Sequence, residues 1–158
     1  MGIGDSFGIA FLKSQMGGGY DVPTSGNIFI SVKGKYNERV APLAKQLTDM
    51  GFTVFASPET HKTLSAQKIK STELQLESGS PNVLDYIKEG KLKLIINVLA
   101  GKVSINDEMN IRQQALIQNI PVITTLPCAA ATVNAMIETI SRKLEVSVKP
   151  LQELYELS

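Results

Sequence analysis

Cysteine, histidine and tryptophan are nearly missing from this 158-residue chain, which has one Cys, one His and no Trp. Each scarcity removes a class of chemistry. The lone Cys128 permits no intrachain disulfide and no thiolate cluster for zinc or iron–sulfur, which suits a reducing compartment such as the cytoplasm. The lone His61 leaves no two-histidine metal site and no Cys/His pair with an orienting partner. Charge bias is also lacking. With 16 Lys and Arg against 15 Asp and Glu, the net charge is +1, so no global field draws the chain to nucleic acid or an anionic membrane. No apolar run reaches the length of a membrane span, and the first residues do not follow a secretion-signal pattern. What is present is an ordinary globular composition, in a length that fits one domain with a substantial core.

The hydrophobic pattern alternates between strand and helix. Asp5 to Met16 reads as a helix with Phe7, Ala10, Phe11 and Ser14 at helical spacing, Asp5 or Ser6 as its cap, and Gly17 to Gly19 as its end. After a linker from Asp21 to Gly26, Ile28–Val32 reads as a buried strand. Tyr36 to Met50 follows as a helix with Val40, Leu43, Ala44, Leu47 and Met50 on one stripe and Gly51 as stop. Further strands are expected at Phe52–Ala56, more weakly at Lys70–Leu76, at Leu92–Val98 and at Pro121–Thr125. Helices are expected at Thr60–Lys68, at Val83–Lys88 closed by Gly90, at Asp107–Gln118 and at Ala129–Leu144. In the Asp107–Gln118 helix, Ile111, Ala115 and either Leu116 or Ile117 face inward. Val146–Val148 adds an edge strand. This order predicts a three-layer Rossmann-like α/β domain, with a mostly parallel sheet of about five strands covered by helices on both faces.

Ligands of such folds sit beyond the carboxyl ends of the strands, where helix N-termini and loop amides point outward. That directs attention to Ser31–Asn37, Ser57–Thr60, Gln75–Gly79, Asn97–Gly101 and Thr124–Cys128.

These segments, in this order, resemble the methylglyoxal-synthase-like domain that ends the large subunit of carbamoyl phosphate synthetases. "MGIGDSFGIAFLKSQ" is similar to the stretch leading out of that family's second ATP-grasp half, "GNIFISV" to its first strand, and "LAKQLTDMGF" to its first helix and exit. "SGSPNVLDYIKEGKLKLIIN" and "INDEMNIRQQALIQNIPVITTL" are similar to its glycine-x-proline segment, its strand ending in Asn and its strand ending in two threonines. The resemblance implies three parts: residues 1–25 as a leading helix and linker, 26–150 as the regulatory domain, and 151–158 as a tail. Because the opening is similar to the interior of a longer subunit, the chain is expected to be a piece of one.

The resemblance further implies a non-catalytic, allosteric domain that holds no metal or cofactor. It would bind a nucleotide or ornithine effector within a cytoplasmic enzyme that makes carbamoyl phosphate from glutamine, bicarbonate and ATP, for arginine and pyrimidine biosynthesis. ATP with magnesium or manganese would belong to the rest of the large subunit. A glutaminase small subunit and a homo-oligomer complete the implied partners. Ser31 and Asn97 match polar positions of the family's nucleotide pocket, where a hydroxyl and a carboxamide suit phosphate, ribose or base; either residue could instead tie down its own loop. Ser57 to Thr60 stands where the family has Thr-x-Gly-Thr, a phosphate cradle, but with Glu59 in place of the glycine. Glu59 would repel a phosphate or itself fill the anion site. Equally, Ser57 as N-cap and Pro58 in the first position account for this tetrapeptide by helix capping alone. Family lysines fall on Asn37, with Lys33 and Lys35 nearby, and on Gln75 or Leu76; a family threonine is Leu99 here. Two missing cations weaken any phosphate site. Thr124 matches an ornithine-contacting threonine, or is simply a β-branched strand end.

Cys128 is expected to be a small packing residue, His61 a solvated helix residue, Asp107 a cap and Arg112 a surface or interface charge. Two rival functions remain. One is an effector-insensitive interaction or oligomerisation module. The other is a free methylglyoxal synthase, whose chemistry needs a poised carboxylate base; "ELQLESGSPNV" has no aspartate, and Glu77 is its acid beyond Glu73.

Overall fold

The computed structural model describes the chain apart from residues 77, 78, 80, 99–104, 143–149, 151 and 154–158, and gives the backbone alone for 105–108 and 142. The elements run α1 (Phe7–Gly17), β1 (Asn27–Val32), α2 (Tyr36–Asp49), β2 (Thr53–Ala56), α3 (Pro58–Ala66), β3 (Thr72–Glu73), α4 (Val83–Lys88), β4 (Leu92–Val98), α5 (Ile105–Ile117), β5 (Val122–Ile123) and α6 (Leu126–Arg142). The strands form one parallel sheet in the order β3-β2-β1-β4-β5. The expected five-stranded α/β architecture is therefore what the chain adopts.

The β-branched runs at 27–32 and 92–98 lie at the centre because both their faces are covered. Ile28, Ile30, Val32, Val54, Ala56, Leu94, Ile96 and Val98 pack with Val40, Ala44 and Leu47 of α2, Leu64 of α3, and Val133 and Met136 of α6. The alternate residues Phe29, Phe55 and Ile95 pack on the other side with Val83 and Ile87 of α4 and Ile111 and Ala115 of α5. α1 lies outside this sandwich against α6. Its cap Ser6 accepts from the Ile9 N–H and donates to the Glu138 carboxylate, and Gly8 and Leu12 are buried.

Five helix ends share one geometry. In α1, α2, α3, α4 and α5 the chain turns back through a left-handed residue (Gly19, Gly51, Lys68, Gly90 and Asn119), with paired 5→2 and 6→1 backbone bonds. Gly51 illustrates the need: its φ of 90° lets the Phe52 N–H reach the Leu47 carbonyl and drops the chain into β2.

Several expectations are corrected. Leu116 and Ile117 are both outward, 72% and 69% exposed, because Ile111 and Ala115 take the inner stripe of α5. The third strand contracts to Thr72–Glu73, followed by an isolated bridge between Gln75 and Asn82, since an edge strand has one partner to set its length. α3 begins at Pro58 rather than Thr60, and α6 at Leu126 rather than Ala129. His61 is half-buried in α3, and its Nδ1 bonds the Ser71 hydroxyl. The expected strand at 146–148, the Asp107 side chain and Leu99 lie outside the described residues. Among those residues, no helix is long and apolar enough to cross a membrane.

Candidate functional site

The sheet register builds the site. Phe29 pairs with Phe55 on one side and with Ile95 on the other, all three facing α4 and α5. Two residues further along each strand, the same face carries Ser57, Ser31 and Asn97. Ser31 and Asn97 are direct partners. The Ser57 N–H continues the ladder to the Ile30 carbonyl. One position past the Ile96–Ile123 pair, Thr124 extends the row on the far side of Asn97, exposed. A polar row thus crosses four strand ends, above a face otherwise built of phenylalanine, leucine, isoleucine and valine. It sits where β1 gives way to β4, the point at which sequential crossovers diverge to opposite faces and leave a crevice.

Three residues of the row are buried, yet it is incompletely bonded among the described residues. Ser57, Ser31 and Asn97 are 5%, 2% and 1% exposed. Neither the nitrogen nor the oxygen of the Asn97 amide has a partner among the described residues. A buried amide without partners is costly in a folded protein, which singles Asn97 out from the rest of the row.

Beside the row stands a corner made by the β1–α2 loop and the α3 N-terminus. The Thr60 hydroxyl stitches it together: it accepts from the Val32 N–H at 3.0 Å and from Ser57 Oγ at 3.1 Å, and lies within donor reach of the Val32 carbonyl and Asn37 Oδ1. Thr60 is fully buried, so its hydroxyl holds α3 to β1 and does not face solvent. Ser57 sits at the N-cap position, but its hydroxyl gives no cap bond, which leaves the first amides of α3 without a side-chain acceptor. Capping alone therefore does not explain Ser57. At the rim, Glu59 Oε1 accepts from Asn37 Nδ2 at 2.8 Å and from the Gly34 N–H at 3.2 Å. Gly34 makes this possible with a φ of 60°, turning its N–H toward α3.

Lys35 and Gln75 are the remaining expected residues. Lys35 is exposed, its ammonium 5.5 Å from the centre of the Tyr36 ring. Gln75 Nε2 donates to Glu73 Oε1 at 2.9 Å. Asn37, and Gln75 of the alternatives Gln75 and Leu76, thus carry an amide where the resemblance expects a cation, and each amide bonds a carboxylate. That reciprocity was visible in the sequence only as two unconnected departures. Arg112 is half-buried, and its Nε has no partner among the described residues. Cys128 packs against the core, and its N–H bonds the Thr125 hydroxyl, which caps α6. Among the described residues no three His, Cys, Asp or Glu side chains converge as metal ligands would.

Two clefts of about 350 and 240 Å³ open at the opposite, amino ends of the strands, one beside Asp21, Lys93 and Asn119 and the other beside Thr48, Phe52 and Ser71. Neither gathers the convergent, unpartnered groups of the polar row.

Comparison with known proteins agrees with this layout. The pattern of the MGS-like domain matches residues 39–124. The carbamoyl phosphate synthase large chain of Acidobacterium capsulatum is 38% identical over 156 residues, covering 98% of this chain and 14% of that protein. The large chain of Methanobrevibacter smithii is 39% identical, covering 97% and 14%. The large chain's C-terminal section from Aquifex aeolicus is 35% identical over 162 residues, covering 99% of this chain and 30% of that protein. The chain accordingly spans 14% of the length of the full-length large chains. A parallel sheet in this order, wrapped on both faces and matched over these residues, makes the chain a member of the MGS-like domain family, similar to the C-terminal section of carbamoyl phosphate synthase large chains.

Proposed function

We propose that this chain is the effector-binding regulatory domain of a carbamoyl phosphate synthase large chain and performs no catalysis itself. The observation that carries this reading is the Asn97 amide, buried at the sheet's switch point with neither hydrogen-bonding atom partnered among the described residues. A nucleotide or ornithine effector would settle against Asn97, Ser31 and Ser57, with Thr124 and the start of α6 at the border. Lys35, Asn37 and Gln75 would face its outer parts. Binding there would favour one orientation of the domain against the adjoining synthetase half and so change the affinity for substrate or ATP, by a coupling of about 1–3 kcal/mol. ATP with its metal, the glutaminase subunit and any homo-oligomer contacts belong, in this reading, to the whole cytoplasmic enzyme. The chain itself takes no cofactor.

A second reading, an effector-insensitive interaction module, draws support from the carboxylate partners of Asn37 and Gln75, which leave no lysine at those two positions. Calorimetric titration with uridylate, inosinate and ornithine separates the two. The effector reading expects heat from at least one, weakened by Asn97→Ala with the basal synthetase reaction unchanged. Silence from all three, with an equally unresponsive synthetase, would establish the interaction module. Formation of methylglyoxal from dihydroxyacetone phosphate would overturn both.

A further inference from the structure

The corner between the β1–α2 loop and α3 is rich in donors. The Gly34 N–H and the Asn37 amide converge there on Glu59, in the first turn of α3, at the positive end of the helix dipole and beside a Ser57 that gives no cap bond. Such a corner attracts an anion, and here the chain supplies one: the Glu59 carboxylate takes both loop donors on a single oxygen. The corner is continuous with the polar row through Ser57 and Thr60, and the row holds the Asn97 amide, which has no partner among the described residues. Charge and unfilled hydrogen-bonding capacity are therefore separated. The charged corner is already occupied by Glu59, while the buried Asn97 amide has no partner among the described residues.

We propose that Glu59 is a resident anion of this cleft, so that the chain takes an uncharged ligand with a lactam edge, of the nucleobase or nucleoside class, and rejects its phosphomonoester. The inference rests on the effector reading for the place of the ligand. A carboxamide with both atoms free forms a two-point pair with an –NH–CO– edge, satisfying donor and acceptor together without importing charge. A phosphomonoester reaching the α3 amides would meet Glu59 at close range. To bind, it would have to displace the carboxylate and break its bonds to Gly34 and Asn37.

The test uses the full 158-residue chain and Glu59→Ala, with thermal melts in inorganic phosphate and titrations with uridine and uridylate. The wild type is expected to melt at the same temperature with and without phosphate and to prefer uridine over uridylate by about tenfold or more. Glu59→Ala is expected to gain a phosphate-dependent rise in melting temperature and to lose that preference. A wild type already stabilised by phosphate, or an alanine variant no more responsive than the wild type, overturns the proposal. Glu59→Gln keeps an acceptor for Gly34 and Asn37, and so preserves the loop if alanine loosens it; its preference for uridine should shrink, and an unchanged preference also overturns the proposal. Should neither uridine nor uridylate bind any of the three proteins, the effector reading fails, while the phosphate response of Glu59→Ala still decides the role of Glu59.

Discussion

Among single side chains, Asn97 sets function against stability most directly. A buried amide with neither atom bonded destabilises a fold by about 1–3 kcal/mol relative to an apolar residue of similar shape. Asn97→Leu should therefore raise the unfolding free energy by roughly 1–2 kcal/mol in urea denaturation while abolishing the effector response. A loss of stability on that substitution would mean the amide is bonded in solution and is not waiting for a ligand. Asn97 and Ser31 were legible in the sequence because each is a polar residue interrupting an apolar run that must be buried. The Asn37–Glu59 bond was not. Its partners are 22 residues apart, on a loop and a helix whose meeting depends on the sheet, and neither residue is unusual in its own neighbourhood. Nor were the inward bonds of the Thr60 hydroxyl to Val32 legible, because a hydroxyl in a first turn can bond inward or outward with the same local sequence.

The helix ends show where pattern reading succeeds and where it stops. Gly51 and Gly90 announce their turns, and the run of glycines after α1 does the same, since left-handed backbone is inexpensive for glycine. Lys68 closes α3 in the same way, with φ 60°, its N–H bonded to the Ser65 carbonyl and the Ile69 N–H to that of Leu64. Nothing in a lysine signals such a turn; tertiary packing of Ile69 against the core imposes it. Replacing Lys68 by Gly should therefore stabilise the chain by about 0.5–1 kcal/mol, the left-handed strain relieved less the extra entropy of glycine, as a higher urea midpoint with an unchanged slope. Leu116 and Ile117 mark the opposite difficulty. Helical spacing alone admits more than one apolar stripe on α5, and only the position of the sheet selects Ile111 and Ala115.

On the scale of the whole molecule, α1 belongs mechanically with α6. Leu12 is buried and Ser6 reaches the Glu138 carboxylate, while a Cβ at Gly8 would come within 2.5 Å of that carboxylate. Leu12→Ala should cost about 2–4 kcal/mol in global stability, measured by denaturation; a negligible cost would show that α1 is a detachable leader. Because α6 begins just past Thr124, a helix fastened to it is placed to feel any shift at that end of the polar row. The sheet order carries a consequence for kinetics. β1 joins β2 early in the chain, but Ser31 meets Asn97 only when β4 arrives, after a long crossover. A growing polypeptide that stops before β4 has half a sheet and no cleft. An effector bound across this row would therefore not hasten the first steps of folding; its influence would fall on the reverse journey, as a brake on the parting of β1 from β4.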